Sequence, residues 1–181
     1  MEYRNTEQRY GTVAKCLHWI IATAILVQIG IMAYINLFLT DASPFKSYLM
    51  TAWHKPIGLA SIVLTLLSLH WYLTSPRPRF PIYMQAWEKR LATTVHRCLL
   101  LSAVFMPICG LLMSVAAGHL PSFFGLFTIP QFIAKNHDLA LLMFDFHSWT
   151  ACILMGLLAL HLAGVCKHLF IHKDNILKRM S

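Results

Sequence analysis

Four stretches of the chain run without any Asp, Glu, Lys or Arg. They lie between Lys15 and Asp41, from Pro56 to Pro76, from Cys98 to about Ala117, and from Phe146 to Cys166. A bilayer-crossing helix needs about 20 mostly apolar residues. These lengths favour helices over strands, which are shorter and alternate apolar with polar positions. The pattern predicts four spans, at residues 16–40, 48–75, 91–117 and 140–168, within one domain covering residues 1–181. Breaks are expected at Asp41–Pro44, at Ser75-Pro76-Arg77-Pro78, and between Gly118 and Asp138. The last of these carries PSFFGLFTIP and is apolar enough to lie in the membrane interface as a short hairpin or helix.

Composition points the same way. Of 181 residues, 57% are hydrophobic and 12% charged, against about 25% charged in a soluble domain. A disordered chain is excluded, and one aqueous core cannot absorb the apolar surplus. The five cysteines form an odd set without a CxxC motif, so neither a disulfide framework nor a zinc site is indicated. CxxCH, the signature of covalent c-type haem, is absent. Met1–Tyr10 is polar and the first apolar run is too long for a cleavable signal peptide.

The net charge of +8 does not form a stripe suited to nucleic acid, and no nucleic-acid partner is expected. In a four-span arrangement, 12 of the 15 basic residues fall on one side of the membrane. Only Lys46, Lys55 and Lys135 fall on the other. The positive-inside rule then predicts both termini in the cytoplasm, spans one and three running outward, and spans two and four running inward.

Ten histidines are present, and several interrupt the apolar runs. An ionisable side chain inside a span is costly and is a functional hypothesis by default. His147 and His161 share the fourth span, fourteen residues apart. That is about 21 Å along a helix and within about 40° of four full turns, so both face one way. His18 opens the first span at the depth of His161, and His54 opens the second at the depth of His147. Topology thus gives two pairs, His18 with His161 inside and His54 with His147 outside. Taken singly, each histidine is more ordinarily a hydrogen-bonding group. Two depth-matched pairs instead suit two stacked haem b groups with paired imidazole ligands. Zinc or copper would want three or four clustered ligands, which two histidines per level do not supply.

The residues also resemble a known family. LHW at Leu17–Trp19, HKPIG at His54–Gly58, MPICGLLM at Met106–Met113 and FFGLFTIP at Phe123–Pro130 look like the bacterial cytochrome b561 family. So do FHSW at Phe146–Trp149, LALH at Leu158–His161 and KHLFIHKDNILKRM at Lys167–Met180. The resemblance covers nearly the whole chain. It implies a four-span dihaem protein of the bacterial inner membrane, with haem iron ligands at His18, His54, His147 and His161. Two departures stand out. Pro56 follows His54 by two and removes a backbone donor. The low part of span two, where many members have arginine suited to a haem propionate, reads Ser68-Leu69-His70-Trp71-Tyr72. His70 is the possible substitute there.

The other histidines are read individually. His96 is expected as polar support, a propionate partner, a quinone contact or a spare ligand. His168, seven residues after His161 and on a similar face, is either a quinone contact or a solvated residue at headgroup level. His119 and His137 are expected in the outer loop and His172 in the tail. The fold expected is an all-α integral membrane bundle of four transmembrane helices. Its expected function is electron transfer through two haem b groups. The resemblance implies a membrane quinone such as ubiquinone as one partner, and superoxide, oxidised at the periplasmic face, as a candidate donor. The rivals are a haem b anchor subunit of a larger dehydrogenase or hydrogenase and a non-redox transporter.

Overall fold

The computed structural model describes residues 3–174 and 176–180; residues 1, 2, 175 and 181 of the expected domain lie outside them. The apolar runs form long helices. α1 spans Thr12–Phe38, and α2 (Pro44–Leu49) passes through a wide turn at Met50–His54 into α3 (Lys55–Thr74). α4 spans Ala86–Ala116, and α5 (His137–Cys166) continues as a π-helical turn over Lys167–His172. Four helices, α2 and α3 counting as one, are long and apolar enough to cross a membrane. Their outward surface is apolar: Leu67, Leu101, Ile153 and Leu160 are exposed, as the lipid-facing side of a bundle requires.

The helices reach beyond the apolar runs because polar residues build their ends. At the start of α4, Glu88 accepts from the backbone N–H of Gln85 at 2.7 Å, half of a reciprocal capping box. Asn136 caps α5 by accepting from the N–H of Leu139 at 2.9 Å. α4 closes at Gly118, whose φ of +78° is left-handed. The N–H groups of Gly118 and His119 return to the carbonyls of Val115 and Ser114, each at 2.9 Å.

The turn before α3 answers the question raised by Pro56. Proline has no N–H for the carbonyl of Ala52, and the backbone ahead of it widens so that Lys55 N–H reaches Met50. His54 sits on this widened turn. In the α4–α5 connection, β1 (Ser122–Phe123) pairs antiparallel with β2 (Phe127–Thr128). The turn between them has Phe124 and Gly125 both at positive φ and a 2.9 Å bond from Leu126 N–H to Phe123 carbonyl, the geometry of a type I′ turn.

Packing is sequential: α1 lies on α3, α3 on α4 and α4 on α5. The backbone of α5 packs closely against neither α1 nor α3, which leaves room between them. One end of the bundle is tied by both chain termini. Asn5 donates to Pro76 carbonyl at 3.1 Å, Trp19 to Met180 carbonyl at 2.7 Å, and Arg179 to Arg79 carbonyl at 2.8 Å.

Candidate functional site: two histidine groups along one helix

α5 carries His147 and His161 toward opposite ends of the bundle. At the termini end, the ring of His161 faces that of His18 on α1, with centroids 6.4 Å apart and planes at 61°. At the other end, His147 faces His54 at 6.1 Å and 74°. Each pair bridges α5 to a helix whose backbone it does not closely touch. The imidazoles therefore face one another across the gaps that the packing leaves open.

The His54–His147 group is the more elaborately supported. His147 Nδ1 lies 2.9 Å from the carbonyl oxygen of Met106, and a carbonyl can only accept, so this nitrogen is the donor. The lone pair is thereby placed on Nε2. Gly110 makes that approach feasible, because a Cβ there would sit 3.1 Å from the His147 ring. Gln28 on α1 donates to the carbonyl of His54 at 2.8 Å. A cavity beside these groups is lined by Gln28, His54, Gly58, Ala103, Gly110 and His147. Two polar atoms here, His54 Nδ1 and Gln28 Oε1, are buried with no hydrogen-bond partner among the described residues. Buried polar atoms are rarely left so in a finished site. Sequence reading missed Gln28 and the Met106 carbonyl; glutamine in an apolar run was the one available signal.

At the termini end a third imidazole joins. His96 of α4 lies 5.2 Å from His161. Arg97, its neighbour, donates to the Tyr72 hydroxyl at 3.1 Å, and Arg77 sits 4.0 Å from the centre of the Tyr72 ring. His70 is exposed, and its imidazole joins neither histidine group among the described residues. Trp71 beside it has a buried indole N–H without a partner among them. His168 stands apart from His161 and pairs with Asp174, Nδ1 to Oδ2 2.7 Å. Tyr83, in the α3–α4 connection, donates to the same carboxylate oxygen. Desolvation and that hydrogen bond push the Tyr83 phenol up to about 12.

The lysines of the opposite end have separate surroundings. Lys55 reaches the carbonyl of His119 at 3.3 Å, and Lys46 forms a 2.5 Å ion pair with Asp41. The Lys46 ammonium holds the Asp41 carboxyl below the usual range, through a hydrogen bond and its charge.

The bundle thus holds two depth-separated imidazole pairs, and sequence comparison shows the family. A family model, prokaryotic cytochrome b561, matches residues 9–181. The chain belongs to that family. It is 32% identical over 183 residues to cytochrome b561 homolog 2 of Escherichia coli K12, covering 99% of this chain and 95% of that protein. It is 27% identical over 179 residues to cytochrome b561 homolog 1 of the same organism, covering 95% and 96%. As a cytochrome b561 family member it is a bacterial multi-pass membrane protein of electron transfer, and the family implies haem b as its cofactor.

Proposed function

We propose that this b561-family protein passes electrons across the bacterial inner membrane through two haem b groups, one held by His18 and His161, the other by His54 and His147. The separation of the ring centres carries the reading. A ligating imidazole nitrogen sits about 2 Å from its metal, so imidazoles on opposite faces of one ion have ring centres about 6 Å apart. The two pairs, at 6.4 and 6.1 Å, match that spacing. His96, at 5.2 Å from His161, is too close to stand on the opposite face of the same ion, and in this reading it is polar support.

Bound haem supplies one-electron redox chemistry at low-spin iron. The chain fixes ring direction through the Met106 carbonyl, walls the site with apolar side chains, and offers polar partners to the propionates. Arg97 beside His96 and His70 at the end of α3 are the candidates for that last role. The basic excess at the termini end supports its placement in the cytoplasm.

A membrane quinone such as ubiquinone is the acceptor in this reading, met by His168 at the cytoplasmic end. Superoxide is the donor at the periplasmic face, where Lys55 adjoins His54. Two superoxide anions give up one electron each; one quinone takes both with two protons, yielding two dioxygen molecules and one quinol. The test is a reduced-minus-oxidised spectrum of the purified protein, followed by mixing the oxidised protein with superoxide with and without a quinone analogue. Two low-spin haem b signals, and superoxide decay faster than spontaneous dismutation, are expected. A colourless protein from haem-replete cells would end the reading. Reduction by dithionite but not by superoxide would remove the donor alone.

A further inference from the structure

The C-terminal end of α5 holds a group that electron transfer between haems does not use. The helix stops at Lys173, whose φ of +52° is left-handed. The N–H groups of Lys173 and Asp174 both close on the carbonyl of His168, the latter at 3.2 Å. This turn swings the Asp174 carboxylate back onto the imidazole of the same helix. His168 Nδ1 lies 2.7 Å from Asp174 Oδ2, and the two side chains are only 14% and 18% exposed. Tyr83 arrives from the α3–α4 connection to donate to that oxygen, and its ring lies tilted beside that of His172, centroids 5.3 Å apart. Lys167, one residue before His168, is pinned to Glu88 of α4 at 2.5 Å and lies 5.2 Å from the centre of the Trp87 ring. The π turn is therefore held on both sides.

The pairing gives the imidazole a direction. Asp174 Oδ2 accepts a hydrogen bond from His168 Nδ1–H, and His168 Nε2 has no hydrogen-bond partner among the described residues. Seven residues separate His168 from His161, which places it about 10 Å along the helix on nearly the same face. A carboxylate fixed on one imidazole nitrogen sets the ring's orientation and aims its second nitrogen outward.

We propose that Asp174 and His168, with Tyr83 holding the carboxylate in place, form a proton relay for quinone reduction, in which His168 Nε2 protonates a quinone carbonyl oxygen and Asp174 stabilises the imidazolium that does so. The relay rests on the quinone reading given above. Reduction of the ring consumes two electrons, which a haem held at His161 would supply one at a time, and two protons, one on each carbonyl oxygen. The Nε2–H bond breaks as an O–H bond forms, leaving neutral imidazole whose Nδ1–H still donates to Asp174. Water at the cytoplasmic end then restores the lost proton and supplies the second one, to the other carbonyl oxygen. Tyr83 is a positioning residue: a phenol whose pKa is pushed up to about 12 stays protonated and keeps donating to the carboxylate.

The experiment uses the full-length, haem-loaded protein in lipid nanodiscs. Haems are reduced anaerobically and mixed with a short-chain ubiquinone analogue, and reoxidation is followed by stopped flow. Asp174→Asn should slow reoxidation at saturating quinone by about a hundredfold. The half-saturating quinone concentration, the haem spectra and the midpoint potentials should stay unchanged. Added formate should restore much of the rate, and Asp174→Glu should retain it. Rescue by a free carboxylic acid is a response that a purely structural helix cap would not give. Asp174→Asn reoxidising at the wild-type rate, or slowed without formate rescue, overturns the relay. Should Asp174→Asn fail to bind haem, Asp174→Glu with a changed solvent deuterium effect supports the relay, and an unchanged one overturns it. His168→Gln with unaltered rate and half-saturation would instead refute the quinone position, and the relay with it. His168→Gln slowed while Asp174→Asn is indifferent overturns the relay alone.

Discussion

A histidine placed among lipid-facing helices must find a partner for each ring nitrogen or an ion to hold. His147 shows how one residue answers this. Its Nδ1 donates to Met106 carbonyl, and its Nε2 is left for a ligand. Such a bond raises the basicity of the ligating nitrogen and fixes the ring plane. Gly110→Ala should therefore weaken the His54–His147 haem site, because the new methyl meets the ring at 3.1 Å. About tenfold weaker haem retention is expected, read as the haem-to-protein ratio after dialysis against apomyoglobin, with the partner site unaffected. Axial substitutions test the pairing itself. His18→Ala and His161→Ala should deplete one and the same redox component, and His54→Ala and His147→Ala the other. A titration in which His18→Ala and His54→Ala remove the same component would refute it. Which histidine rings face each other was readable because depth follows from counting residues along spans. The Met106 carbonyl was not, since a backbone acceptor has no residue type to give it away. The Asp174 contact with His168 was equally hidden, because it depends on a left-handed turn at Lys173, a residue that rarely adopts one.

Helical elements were legible wherever an uncharged run exceeded the bilayer thickness, and that covers the body of all four spans. Their ends were not, because Glu88, Asn136 and His137 are polar and hydropathy discards them, whereas capping chemistry recruits such residues. α4 therefore starts at Ala86, five residues before the expected 91, and α5 at His137 instead of 140. The widened turn at Met50–His54 had one sequence signal, Pro56, whose missing N–H asks for local rearrangement but does not specify a π turn. The closing turn of α4 offers an element-scale test. Gly118 is left-handed, and a Cβ there would fall 2.4 Å from Lys135 Cε. The lysine end can swing away, so the backbone conformation sets the cost of Gly118→Ala, about 1–2 kcal/mol. The thermal unfolding midpoint in detergent should fall while the low-temperature haem spectrum stays as in wild type. An unchanged midpoint would mean that the α4–α5 connection contributes nothing to global stability.

At the scale of the molecule, the bundle has two chemically different ends, and its orientation decides which side of the membrane each serves. The termini end carries the N-terminal segment, the α3–α4 connection and the tail, and with them 12 of the 15 basic residues. Of the remaining three, Lys46 is neutralised by Asp41, leaving Lys55 and Lys135 as the cations of the opposite end. Basic segments near span ends resist translocation, while acidic ones contribute little. A fluorescent protein fused after Ser181 should therefore fluoresce in whole cells, and alkaline phosphatase fused there should be inactive. Fusions within the 119–136 connection should reverse both signals, because the periplasm permits the phosphatase disulfides and not the folding of an exported fluorescent protein. That outcome would place Lys55 and the His54–His147 pair toward the periplasm, and His168 with its Asp174 partner toward the cytoplasm. Protons for quinol would then come from the cytoplasm while the donor is oxidised outside. Phosphatase activity at the C-terminus would invert that assignment and put proton uptake on the periplasmic side.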